Sequence, residues 1–505
     1  MGTIHNILTG FINVGTPMCL AVNLIGVVIG IVFGMLPGLS ATMALVLFLP
    51  LTYTMDLYPS FALMIGLYIG GMSGSLISAI LINIPGQPCS IATTWDGAPM
   101  AKKGEGKRAL GIAVFYSFLA TALSIVVMMF IAPPLSKLAL TFSSVEYFAL
   151  GVFSLTLISG LSGKNLFKGL IACLLGMFIG TIGLDPIDIT PRFTFGVTAL
   201  KNGVQLTCVA IGLFAFAEIM RGAARRKNLV IEAKLDDGTK KKVKGFGLTG
   251  KEFVEQLPNF IRSSLIGIGI GILPGFGGAV SNIVAYGAAK KASKYPEKFG
   301  TGIIDGLVAS ETSNNASIGG AMVPLLTMGI PGDGVTVILL GAFAMKGLEA
   351  GPMLFRTEID LVYAIYVAMI IATVLMLICE FYGINIFVRL MNIPLSYILP
   401  VVAVFCMVGA YQDRSELMDV GLCVIGGFLA YALDKFDYPI APLTLGYILG
   451  GMVEKNLRRG MMLTKQSFTA FFTYPIATGI MIVTAAFILY NVIGSWRRMK
   501  KNAET

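Results

Sequence analysis

Residues 34–53 read GMLPGLSATMALVLFLPLTY, an apolar run interrupted by Leu-Pro-Gly, two hydroxyl residues and a second proline. Proline lacks a backbone donor and clashes with the preceding turn, so a helix stops at Pro37. Gly38 permits the turn that follows, and Ser40 is a preferred N-cap for a new helix. The interruption recurs at residues 271–282, GILPGFGGAVSN. Two further Pro-Gly pairs stand at Pro85-Gly86, followed by Gln87 and Ser90, and at Pro331-Gly332, followed by Asp333 and Thr336.

The surroundings make these breaks informative. Of 505 residues 56% are hydrophobic and 13% charged, with a mean hydropathy of +0.82, the composition of an integral membrane protein. At roughly 20 residues per helical span there is room for about ten to twelve crossings. The apolar runs are long and continuous, which predicts an all-α polytopic bundle and argues against a β-barrel. Spans are expected near 18–36, 60–84, 109–133, 144–163, 164–184, 203–221, 259–273, 313–330, 360–390, 396–412, 415–434, 438–453 and 472–494. The segments 39–53, 89–100, 276–289 and 335–346 are too short to cross and read as re-entrant or half-membrane helices.

A helix broken inside a bilayer frees N–H and C=O groups that cost several kcal/mol each against lipid, so breaks persist where protein, water or ligand satisfies them. N–H groups near Ala41 to Met43, with the positive end of a short helix behind them, are expected to face the break and attract an anion. Candidate substrate ligands are Pro37, Gly38, Ser40 and Thr42 at the first break, and Pro85, Gly86, Gln87 and Ser90 at the second. Pro274, Gly275, Gly277 and Gly278 at the third break join them, with Pro331, Gly332 and Thr336 at the fourth.

The landmarks keep their order in two halves. Leu36-Pro37-Gly38 matches Leu273-Pro274-Gly275, Ile84-Pro85-Gly86 matches Ile330-Pro331-Gly332, Tyr147 matches Tyr397, and Phe193–Gly196 matches Leu443–Gly446. Two homologous halves are expected, 18–221 and 259–460, read as inverted repeats whose broken helices meet near the membrane midplane. A linker at 222–258 joins them, and a terminal helix with a basic tail occupies 461–505.

Charge orients the chain. Between Arg221 and Lys251 there are ten Lys or Arg against three acidic residues, which predicts a cytoplasmic segment. The tail WRRMKK and the run VEKNLRRG also look cytoplasmic, yet one span at 472–494 cannot join two cytoplasmic ends. Juxtamembrane charge explains these basic runs without nucleic acid. The seven cysteines are scattered without metal-site spacing and the single histidine is His5, so metal binding and His-based catalysis have little material. No cofactor is expected beyond a coupling ion, Na⁺ or H⁺.

Polar residues within the spans complete the candidate list. Glu311-Thr312-Ser313-Asn314-Asn315 has no equally polar counterpart in the first half, where Gly70-Gly71-Met72-Ser73-Gly74-Ser75 stands. Ser313, Asn314 and Asn315 can donate to a carboxylate, and Glu311 can carry the coupling charge. The alternative is a capping cluster with Glu311 in an interfacial loop. Asp333 reads first as an N-cap and second as a cation ligand. Lys103 and Lys346 are expected to snorkel to the surface. Glu146, Glu380, Asp419 and Asp434 are expected to be exposed near span ends.

These stretches, with YIGGMSGSLISAILINIPGQPCSIATTWDGAPMAKKG, GLDPIDITPRFTFG, ETSNNASIGGAMVPLLTMGIPG and IAPLTLGYILGGMVEKNLRRG, resemble the large membrane subunit of the tripartite tricarboxylate transporters from about Gly10 to Ser467. The resemblance implies a non-enzymatic, multi-pass subunit of a bacterial inner membrane that imports a tricarboxylate or related carboxylate by ion symport. It also implies two partners, a small membrane subunit and a periplasmic solute-binding protein. An ion channel would more naturally be a smaller repeated subunit. An integral membrane enzyme lacks a G-x-S-x-G nucleophile in register here.

Overall fold

The computed structural model describes residues 3–161, 166–224, 245–391, 393, 395–412 and 414–503. Most of the basic segment, residues 225–244, lies outside them. In chain order the helices are α1 (Thr3–Val14), α2 (Pro17–Met35), α3 (Ala41–Phe48), α4 (Leu57–Leu81), α5 (Ile91–Met100), α6 (Gly106–Ala139), α7 (Ser144–Leu161) and α8 (Leu166–Gly180). A two-stranded antiparallel hairpin follows, β1 (Gly183–Leu184) and β2 (Pro191–Arg192). Then come α9 (Leu206–Ala210) and α10 (Ala217–Ala224), joined through a wide turn at Ile211–Phe216, α11 (Gly250–Ile272), α12 (Gly277–Ala292), α13 (Ile304–Met328), α14 (Gly334–Met345) and α15 (Leu354–Thr357). The chain ends with α16 (Ile359–Leu390), α17 (Leu395–Gln412), α18 (Leu417–Lys435), α19 (Ile440–Leu463) and α20 (Pro475–Ala503).

Every expected span coincides with a helix, and the four short segments are α3, α5, α12 and α14. Among the described residues six helices are long and apolar enough to cross a membrane by themselves, fewer than the ten to twelve crossings expected. Charge is one reason: α11 carries Lys251, Glu252, Glu255 and Arg262, and α13 carries Asp305 and Glu311.

Two compact units divide the chain, and each draws on both sequence halves: 1–136 with 221–409, and 137–220 with 410–505. In the first unit α2 lies on α4 along glycines. Gly26, Gly30 and Gly34 meet Gly66, Gly70 and Gly71, and a Cβ on Gly30 would fall 2.7 Å from the Gly71 nitrogen. This four-residue glycine spacing lets backbones touch where lipid supplies no hydrophobic drive between helices. Gly267 and Gly271 of α11 lie likewise against Ser313 and Ser317 of α13.

Side chains also fix which helix ends share a face within this unit. Lys346, after α14, donates to the Thr52 and Met55 carbonyls beyond α3 at 2.6 and 2.5 Å. Lys103, after α5, donates to the Thr301 carbonyl between α12 and α13 at 2.6 Å. Arg108 at the start of α6 binds the Gly247 carbonyl at 3.0 Å and pairs with Glu252 of α11 at 2.5 Å. The two lysines thus tie helix ends together as well as reaching outward.

In the second unit α19 packs on α7 and α8, with Val145, Phe148, Val453 and Phe471 forming one core cluster. An ion cluster joins the hairpin to α19: Arg192 meets Glu454 at 2.5 Å, while Arg458 meets Asp185 at 2.6 Å and also Asp188. At other ends of this unit Lys168 donates to the Phe436 carbonyl at 2.6 Å and Arg414 to the Asn202 carbonyl at 2.6 Å. The basic run VEKNLRRG is therefore partly neutralised by its own acidic partners and is a poor reporter of sidedness. Of the paired landmarks, Phe193–Gly196 lies in the irregular segment after β2, whereas Leu443–Gly446 is buried within α19.

Candidate binding site at the helix breaks

All four breaks lie in the first unit. After α2, Pro37 and Gly38 turn the chain, Gly38 at φ +96°, and Ser40 caps α3 by accepting the Met43 N–H at 3.1 Å. The Ala41 N–H is also taken: it donates to Gln87 Oε1 at 2.9 Å, while Gln87 Nε2 donates to the Gly71 carbonyl at 2.6 Å. Two of the donors expected to await an anion at α3 are thus satisfied by Ser40 and Gln87. The second break serves the first, because a buried N–H left unpaired costs more than the bond returns. Ser90 turns inward and donates to the Gln87 carbonyl at 3.0 Å. Gly86 packs beneath Gly34, where a Cβ would also come within 2.9 Å of Ser78 Oγ.

The third and fourth breaks hold each other through backbone. The Gly275 N–H donates to the Gly332 carbonyl at 2.8 Å, and Gly277, at φ +47°, lies against Asp333, whose Cβ would be 2.6 Å from an added Cβ. Asp333 caps α14: Oδ1 accepts the N–H groups of Val335 and Thr336 at 3.0 and 2.7 Å, and Oδ2 accepts the Tyr68 hydroxyl at 2.7 Å. Thr336 closes the box by accepting the Asp333 N–H at 2.9 Å. Asp333 is a satisfied cap, the first of its two sequence readings.

The two pairs of breaks meet around Gly278. A Cβ there would run into Asn314 Oδ1 and lie 3.0 Å from Cys89 Cβ and 3.1 Å from Met72 Cε. Gly334 faces Thr42 across the same region, and Asn282 donates to the Cys89 carbonyl. Glu311 to Asn315 lie inside α13 and are fully buried, which removes the loop and capping alternative. Asn314 is held only by a 3.5 Å contact from Nδ2 to the Met72 carbonyl, and its Oδ1 has no partner. Asn282 Oδ1 is likewise unpartnered. Asn314 and Asn282 are thus two buried amides with unused hydrogen-bonding capacity at the place where the breaks meet.

Asn315 and Ser313 do other things. Asn315 Nδ2 donates to Ser117 Oγ at 2.8 Å and to the Glu311 carbonyl at 3.1 Å, and Ser313 Oγ bonds back to Ser310 on its own helix at 3.1 Å. The Glu311 carboxylate accepts the Thr93 hydroxyl and, at 3.1 Å, the Ser117 hydroxyl. These groups form an oxygen-rich, mutually bonded cluster one turn from Asn314.

Several contributors were not singled out from sequence. Asn282 closes the GILPGFGGAVSN stretch, so its signal was its place on the short helix after the break. Asp96 is fully buried and accepts the N–H groups of Gly300, Gly302 and Ile303 at 3.0, 2.7 and 3.0 Å, with the Tyr286 hydroxyl at 2.8 Å. It pins the approach to α13. The expected exposure of four acids is corrected: Glu380, Asp419 and Glu146 are buried, Glu146 binding the Ser143 N–H at 2.8 Å, and only Asp434 is exposed.

Comparison with known proteins identifies relatives along nearly the whole chain. The chain is 34% identical over 497 residues, covering 98% of both chains, to an uncharacterized 52.8 kDa protein in the TAR-I ttuC' 3'region of Agrobacterium vitis. It is also 34% identical over 212 residues to an uncharacterized protein in the TAR-II ttuC' 3'region of the same organism, covering 42% of this chain and 88% of the relative. No solved structure matches. Residues 20–445 match the tripartite tricarboxylate transporter TctA family, and the chain belongs to that family, as a transport protein of the membrane rather than an enzyme.

Proposed function

We propose that this chain is the translocation subunit of a secondary transporter that imports a tricarboxylate or related carboxylate by symport across a bacterial inner membrane. A periplasmic solute-binding protein delivers the substrate, and a small membrane subunit completes the complex. The observation that carries the reading is the meeting of four helix breaks around Gly278 and the under-bonded Asn314. Interrupted helices converging within a bundle are how secondary transporters build a midplane site. Asn314 and Asn282 then bind the substrate, while Glu311, with Thr93 and Ser117, holds the coupling Na⁺ or H⁺. Asp333 serves the site as a cap.

The contacts at helix ends support inverted halves. The ends of α3 and α14 share one face through Lys346, and those of α5 and α12 share another through Lys103. The helix α4, 25 residues and about 37 Å long, runs between those faces. Since α3 and α12 follow matching breaks, as do α5 and α14, each matched pair points oppositely. The test is reconstitution with both partner subunits and uptake of a carboxylate panel under separate Na⁺ and proton gradients. Saturable uptake that needs the binding protein and one gradient is expected. Flux without the binding protein, or none under either gradient, overturns the reading.

A further inference from the structure

A second buried carboxylate stands apart from Glu311. Glu380 lies within α16 with no exposed surface; Oε2 accepts the Ser73 hydroxyl at 2.8 Å, and Oε1 has no partner. Ser73 follows Met72, whose carbonyl meets Asn314, so Glu380 is one residue removed from the wall of the binding site. Glu380 is also among the residues bordering a cleft of about 270 Å³, with Lys107, Gly111, Val114 and Asn385. The cleft reaches Gly245, near the end where Arg108 joins α6 to α11.

The helix α6 connects the two acids. Lys107, Gly111 and Val114 face the cleft, and Ser117 and Thr121, continuing the same three-to-four-residue spacing, reach Glu311 and Asn315. The charged and titratable groups around Glu380 can be named by element. The helices α2 and α4 contain no charged residue, α1 has only His5, which is exposed, and α4 holds Tyr68, which is engaged by Asp333. Lys107 comes from α6, Glu311 from α13, and Cys379 adjoins on α16.

A carboxylate buried with one hydroxyl donor is poorly stabilised as an anion. A hard cation gathers about six oxygens, and Ser73 and the carboxylate itself fall short of that. We propose that Glu380 is a proton-binding site of the carrier, separate from Glu311, that exchanges its proton with the cleft beside Lys107. The O–H bond breaks at Oε1, the proton passes to water entering the cleft, and the carboxylate is left beside a cleft that Lys107 also lines. The inference rests on the transporter reading above and adds to it the path by which protons reach or leave the site from the face of the basic segment.

The test uses the full chain in proteoliposomes and a hydrophobic carbodiimide, which modifies protonated carboxyls in apolar surroundings. Peptide mass spectrometry of the wild type should find Glu380 modified, with labelling that falls as pH is raised. Absence of labelling, or labelling unchanged by pH, overturns the proposal. With both partners added, E380Q should keep substrate exchange but lose roughly tenfold or more of the net uptake driven by a proton gradient, the scale of about 1.4 kcal/mol in a driving equilibrium. E380D, which keeps a carboxyl, should recover part of it. Proton-driven net uptake by E380Q equal to wild type overturns the proposal as well. Absence of uptake by the wild type defeats the transporter reading instead, and the labelling result still decides the fate of Glu380.

Discussion

The adjacent asparagines of α13 have different work, which makes them separable by substitution. Asn314 is nearly unengaged, whereas Asn315 is spent on Ser117 and Glu311. If Asn314 donates to a bound carboxylate, its removal costs about 1.5–3 kcal/mol, the range for hydrogen bonds to charged groups. That is a roughly ten- to hundredfold loss of apparent affinity in Asn314→Ala, read as uptake against substrate concentration. Asn314→Asp should be worse, because a fixed negative charge then faces the substrate. Asn315→Ala should leave substrate affinity near wild type and change the dependence on the coupling ion, because Glu311 loses its neighbour. Equal affinity losses in the two alanine variants would place the substrate elsewhere. Gly278→Val, judged by uptake per inserted protein, should abolish transport by filling the space beside Asn314 and Cys89. At this scale sequence spoke unevenly. Asn314 was legible as a polar residue in an apolar span. Glu380 was misjudged because the apolar segment around it is 32 residues long, more than a bilayer requires, so nearness to its end did not mean nearness to water.

Helices and turns were more legible, since proline and glycine act on the chain that holds them. The four breaks fall where Pro37, Pro85, Pro274 and Pro331 put them. What those breaks bind was hidden, because the partners lie tens to hundreds of residues away: Gln87 for Ala41, Gly332 for Gly275, and Asp96 for residues 300–303. The α2–α4 seam gives an element-scale prediction. Gly30→Leu should lower the unfolding temperature or abundance of the detergent-solubilised protein strongly, since its first added carbon already meets backbone rather than a movable side chain. The exposed Gly451→Leu, with open space around its Cβ, is the control and should be tolerated. The hairpin of the second unit supplies a pH test. The Ile187 and Asp188 N–H groups donate to Asp185 at 2.7 and 2.8 Å and, with Arg458 assisting, hold its carboxyl down at about 2. A lowered carboxyl contributes stability that is complete above its ordinary value of about 4 and is lost as pH falls through the lowered one. Asp185→Asn should therefore flatten the acid-side decline of thermal stability between about pH 4 and pH 2, and an unchanged decline would show that the cluster is idle.

For the whole molecule, the ion pairs of the second unit bear on the conflict between two basic runs. Arg192–Glu454 and Arg458–Asp185 hold the far part of α19 beside the hairpin, and Lys168 holds the end of α18 beside the start of α8. If α10 leads into a cytoplasmic basic segment, the hairpin lies outside and the tail after α20 inside, as its own charge requires. Single cysteines at Ile189 and Phe436, in a chain stripped of native cysteines, should then label from opposite sides of the membrane; labelling from one side would refute this assignment. The landmarks could be ordered from sequence, but the interleaving of distant stretches in two units could not, because it depends on which distant helices pack. That interleaving bears on how the protein is made. Residues 1–136 leave the ribosome long before residues 221–409, which complete their unit, so Asn23 must wait for the Ala368 carbonyl and Ser73 for Glu380. A nascent chain stopped at the basic segment would hold open seams and unmet polar groups in lipid, a natural target for membrane quality control. Supplied separately from two genes cut within residues 225–244, the halves should rescue each other's lifetime in the membrane, because the bonds that finish each unit never needed to be formed by one continuous chain.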